Sequence, residues 1–148
     1  MRRPLASLIA AAILLSACDA LRGSPPAPTP GSFGDFAIEL RARGIEIDNV
    51  ISGDPGCNDV TLAPTAIAFR ASGLDQAGPV QLRIYLFGDD DAYSRRRADV
   101  DTCVQTWATD PATFEFVDAS PFVLAGQGPW AADFTSNLRA AVTNAAGD

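Results

Sequence analysis

The 148-residue sequence contains no histidine. That absence excludes the Ser-His-Asp and Cys-His types of nucleophilic site. It also removes the commonest metal ligand. Lysine is missing as well, so all 11 basic residues are arginine. No CxxC pair and no Cys/His spacing occurs, so a zinc–thiolate site has no support. Glutamate is scarce: Glu39, Glu46 and Glu115 are the only three. No internal repeat is present, and the only low-complexity stretch lies before residue 32. The apolar run Leu5 to Leu15 is about 11 residues long, whereas a membrane-spanning helix needs roughly 20.

What is present begins at the first residues. Arg2 and Arg3 precede the apolar run, and the small residues Ser16 and Ala17 follow it. This is the layout of an export signal. The run then ends in Leu15-Ser16-Ala17-Cys18, which resembles the lipobox of bacterial lipoprotein precursors. The resemblance implies that the Cys18 thiol takes a diacylglyceryl group and that cleavage leaves Cys18 as the first residue. Residues 1–17 are then the signal peptide. Two or more acyl chains, at about 0.8 kcal/mol per buried CH₂, give stable anchoring. The expected location is the extracytoplasmic face of a cell membrane. Residues 18–31 read as a lipidated tether. Ser24-Pro25-Pro26-Ala27-Pro28-Thr29-Pro30-Gly31 has four prolines in eight residues, which favours extended chain at about 3 Å per residue.

Removal of residues 1–17 leaves 131 residues, one domain's worth, spanning 32–148 after the tether. It also leaves nine arginines against 18 acids, a formal charge of −9. Such a surface repels nucleic acid, because phosphate binding needs clustered cations. With Cys18 assigned to lipid, Cys57 and Cys103 remain as an even pair. In an oxidising compartment such a pair is expected to form a disulfide. It would close a loop of roughly 45 residues, worth at most about 4 kcal/mol.

Patterning supplies the elements. Ser32 and Asp35 read as a helix start close to a capping box, with Phe33, Phe36, Ala37 and Leu40 on one face and Gly44 as the stop. Strands are expected at Ile45 to Ile51, Ala66 to Arg70 and Val80 to Phe87, with a short edge strand at Val60 to Leu62. In the strongest, Val80, Leu82, Ile84 and Leu86 alternate with Gln81, Arg83, Tyr85 and Phe87. A second helix is expected from Asp89-Asp90-Asp91 to about Ala108. Tyr93, Val100, Val104 and Trp107 form its stripe. Arg97–Asp101 and Arg95–Asp99 are its i,i+4 pairs. Thr113 to Asp118 and Phe122 to Ala125 read as a hairpin. The last helix is expected from Pro129, at its first position, to about Asn144, with Trp130, Phe134, Leu138 and Val142 docking it. The order α-β-β-β-α-β-β-α predicts an α+β fold. It predicts an antiparallel sheet of about five strands with helices packed mainly on one face. The segment from Ser32-Phe33 to Asp35, then Leu40 to Ile45, loosely resembles small bacterial lipoproteins of unknown function, which bring no activity with them.

Chemistry is thin. Asp89, Asp90, Asp91, Asp99 and Asp101 are oxygen-rich, but they lack cation-loop spacing and surround Arg95, Arg96 and Arg97. Asp54, Asn58 and Asp59 form a second patch that turn chemistry explains. No metal ligand set and no cofactor is assigned. Glu115 and Asp118 lie on or beside one strand, but nothing shows two acids converging as glycoside hydrolysis requires. Tyr85 and Phe87 would form an exposed aromatic patch, marking a partner surface, if no helix covered their face. The expectation is therefore a non-enzymatic, lipid-anchored protein that works by protein interaction or as an accessory envelope subunit. A small-solute or cation-binding module is the alternative, and a carboxylate-dependent hydrolase comes third.

Overall fold

A capping box opens the first helix, α1, at Phe33–Ala42. The Asp35 carboxylate accepts from the Ser32 amide at 2.9 Å, and the Ser32 hydroxyl accepts from the Asp35 amide. Phe36, Ala37 and Leu40 form the buried face, and Gly44 leaves the helix at φ +78°. Glycine adopts that left-handed conformation without a Cβ penalty. The structure, a computed structural model, describes residues 32–147. The expected signal peptide, lipobox and tether lie outside the described residues.

Five strands follow: β1 Ile45–Ser52, β2 Ala66–Gly73, β3 Gln76–Leu86, β4 Phe114–Ala119 and β5 Phe122–Gln127. They form one sheet in the order β1-β2-β3-β5-β4, and every neighbouring pair is antiparallel. Helix α2, Asp90–Val104, connects β3 to β4, and α3, Ala132–Ala146, closes the described chain. The α+β class, the five strands and the element order are as the patterning predicts.

Alternation along the strands sorts side chains onto two cores. Leu82, Ile84, Phe122 and Leu124 face α1 and α3, where they meet Phe36, Leu40, Phe134, Leu138 and Val142. Tyr85, Phe87, Val123 and Ala125 face the other way and are covered by Val100, Cys103 and Val104 of α2. Two of the three helices among the described residues thus share one face. The Tyr85–Phe87 face is not an open aromatic patch, because Tyr85 is 0% and Phe87 3% exposed.

Four local expectations need correction. Val60 to Leu62 is a turn, not a strand. The Leu62 amide donates to Asp59 O, and Leu62 is buried in the α2-side core just before the 3-10 turn Ala63–Thr65. Helix α2 ends at Val104 rather than Ala108. Thr106 and Trp107 amides turn back to Cys103 O and Val104 O, a tighter i→i−3 pattern. Asp99 pairs with Arg96 at 2.6 Å rather than with Arg95, since Arg96 faces the loop at Thr61 and Arg95 points outward. Pro129 is not the first residue of α3. Trp130 N and Ala131 N donate to Glu115 Oε1 and Gln76 Oε1, which holds the chain extended until Ala132.

Candidate functional site

The described polar chemistry gathers on the α2 side of the sheet, under the loop between β1 and β2. Gly53 to Leu62 crosses the end of that face. Pro55 turns inward and Gly56 takes φ +84°. Cys57 in the loop and Cys103 on α2 form a disulfide across a sequence separation of 46. The pairing expected from the even cysteine count is thus present. The covalent link joins the loop to α2, the helix that covers this face among the described residues.

Beneath the loop lie three side chains from β3 and from the turn after α2. Tyr85 is fully buried, and its hydroxyl donates to Pro55 O at 2.7 Å. The same hydroxyl stands 4.0 Å from Cys103 Sγ. Burial pushes the Tyr85 phenol up to about 12, because the charged form loses its hydration. Arg83 Nη2 donates to Asp54 Oδ2 at 3.1 Å, and its guanidinium stacks 4.4 Å from the Trp107 ring centroid. Among the described residues, neither Arg83 Nε nor Trp107 Nε1 meets a hydrogen-bond acceptor, although both are buried. Gly56 is packed directly on this pair: a Cβ there would fall 2.7 Å from Trp107 Nε1 and 2.8 Å from Arg83 Nε.

The aromatic row continues to the sheet edge. Trp107 meets Phe114 at 4.9 Å between centroids, and Phe114 meets Phe116 at 5.2 Å. Arg97 lies 5.0 Å over Phe116 and is bracketed by Asp118 and Asp101. Burial opposes its charge, but hydrogen bonds to both aspartates hold the guanidinium well above its ordinary value. Tyr93 donates to Asp118 at 3.0 Å, and its phenol is raised by burial and then by that carboxylate.

The acidic residues singled out in the sequence do not converge. Asp89 caps α2 by accepting from Ala92 N at 2.7 Å, and Asp90 accepts from Ser120 Oγ. Asp91 is exposed, while Asp99 and Asp101 pair with Arg96 and Arg97. In the loop, Asp54 pairs with Arg83, and Asn58 is exposed. The Thr61 hydroxyl and amide hold Asp59 below the usual carboxylate range, with Arg96 nearby. Among the described residues no group of three or more His, Cys, Asp or Glu could hold a metal ion. Glu115 and Asp118 are separated by an odd number of strand positions and face opposite sides. Glu115 accepts from Trp130 N, while Asp118 meets Arg97. Glu39 pairs with Arg43. A hollow of about 430 Å³ at the start of β1 is lined by Arg41, Gly44, Ile45, Glu46 and Ile47. Glu46 is the single carboxylate in that lining.

Sequence reading did not connect Trp107 with Arg83, because the α2 crossover creates their contact and no periodicity encodes it. It also missed Asp75. From the β2–β3 turn, Asp75 accepts from Asp133 N at 3.0 Å and Phe134 N at 2.9 Å, capping α3. Ala131, at the N-cap position, offers no side-chain oxygen. Cys18 lies outside the described residues. No family model, no curated protein and no solved structure matches this chain.

Proposed function

We propose that the chain is a lipid-anchored extracytoplasmic protein that acts without catalysis, through protein interaction or as an accessory subunit of the cell envelope. The observation that carries this reading is the division of the three cysteines. Cys57 and Cys103 occupy each other, so Cys18 is the cysteine left for acylation, and it stands at the end of Leu15-Ser16-Ala17-Cys18. The disulfide supports the same compartment, because such bonds persist outside reducing cytosol. The proline-rich stretch 18–31 would lift the folded part off the bilayer. The surface supports a protein partner over nucleic acid: acids outnumber arginines, and Arg83, Arg96 and Arg97 are already paired with carboxylates.

Cys18→Ser tests the anchor. The variant is expected to appear as soluble or uncleaved protein when cells are fractionated. Normal processing with retention in the membrane would refute the anchor. Crosslinking of the anchored protein in its native cells tests the interaction. A single stoichiometric envelope protein is the expected product. Its absence, together with thermal stabilisation by calcium or a sugar, would favour a binding module.

A further inference from the structure

We propose that Cys57–Cys103 is a redox-operated clamp that holds the Gly53–Leu62 loop shut over Arg83 and Trp107, and that a dithiol reductant releases it. The loop has no regular secondary structure over Gly53 to Leu62. Its closed position leaves two donors unsatisfied. Arg83 Nε and Trp107 Nε1 are buried with no acceptor among the described residues. Water would satisfy both donors if the loop lifted. Gly56 is held in the left-handed region against Trp107 and Arg83, with no room for a Cβ. The covalent link joins this loop to α2, which remains packed on the sheet through Val100 and Val104.

The sulfurs are unequally accessible. Cys57 is part-exposed, whereas Cys103 is 3% exposed. A reductant thiolate would therefore attack Cys57 Sγ. A mixed disulfide forms there, the Cys57–Cys103 bond breaks, and its electron pair leaves on Cys103 Sγ. The second thiol of the reductant then displaces Cys57 and closes the reductant's own disulfide. The reductant loses two electrons and two protons, and both cysteines end as thiols. Cys103 departs beside the Tyr85 hydroxyl, 4.0 Å away. That hydroxyl becomes free to turn to the sulfur once Pro55 O moves off.

The test is hydrogen exchange of the full chain, purified as its native cells process it, before and after treatment with dithiothreitol and alkylation. The expected result is loss of protection and a shift of tryptophan emission confined to 53–62 and its contacts. Protection in α1 and α3 should persist, and reoxidation of unalkylated protein should restore the loop. A Cys57→Ser/Cys103→Ser double variant should reproduce the open loop without reductant. Unchanged protection of 53–62 after reduction would overturn the proposal, because the contacts of Asp54, Pro55 and Gly56 with Arg83, Tyr85 and Thr106, and of Asp59 and Thr61 with Arg96, would then suffice to hold the loop. Loss of protection throughout the sheet would overturn it too, making the bond a staple of the whole fold. This outcome is independent of membrane anchoring.

Discussion

Tyr85 places a hydroxyl in a fully buried position, and its stability contribution depends on that hydroxyl staying neutral and bonded to Pro55 O. Its ordinary value of 10 rises to about 12 in the folded protein. A raised folded value means the contribution is complete below pH 10 and is lost as pH rises toward 12. Alkaline titration of stability is expected to fall through that window, and Tyr85→Phe should flatten the fall. At neutral pH the same variant leaves Pro55 O without its donor and should cost about 1–3 kcal/mol in denaturant unfolding. Gly56 offers a sharper case. Gly56→Ala combines φ +84° with a Cβ 2.5 Å from Trp107 Cδ1. It should destabilise by about 1–3 kcal/mol and shift Trp107 emission, whereas Gly78→Ala, in open space, should do neither. The alternation of β3 made the shared face of Arg83 and Tyr85 legible in the sequence. What lies on that face was not legible, because loop and helix reach it from distant parts of the chain.

At the scale of elements, most helices and strands were legible because their signals are local. Ser32 and Asp35 form the capping box they resemble, and Trp130, Phe134, Leu138 and Val142 all join the core. Failures occurred where tertiary partners set the ends. Pro129 looked like a helix start, but Glu115 and Gln76 claim the next two amides and Asp75 supplies the cap. Hydrogen bonds donated by the Asp133 and Phe134 amides hold Asp75 below the ordinary carboxylate range, with the Asp133 amide the largest cause. A lowered folded value gives a contribution present above the unfolded pKa of 3.8 and lost as pH falls through the folded value. Asp75→Ala should therefore lower the thermal midpoint at neutral pH and speed amide exchange in the first turn of α3. The difference from the unaltered protein should shrink on acidification below 3.8. Asp91→Ala on the exposed start of α2 serves as the control and should leave α3 unchanged.

For the whole molecule, charge and acyl burial both bear on the proposed membrane attachment, and only the first responds to salt. Acids outnumber basic residues 18 to 11, and Arg83, Arg96 and Arg97 are spent on neighbouring carboxylates. An anionic bilayer would repel such a body, and added salt would weaken only that repulsion. Among the described residues no helix is long and apolar enough to cross a membrane. The proposed anchor is instead the acyl chains on Cys18, each buried methylene adding about 0.8 kcal/mol independently of ionic strength. Membranes washed in high salt and then in alkaline carbonate should retain the protein, while a mild detergent should release it. Release by salt alone would mean a charged receptor holds it, and the Cys18 anchor would have to be abandoned. The same wash on Cys18→Ser cells separates the cases further. If any variant protein that remains on the membrane comes off in salt, a protein contact also holds the domain there, and that contact is the place to search for its partner.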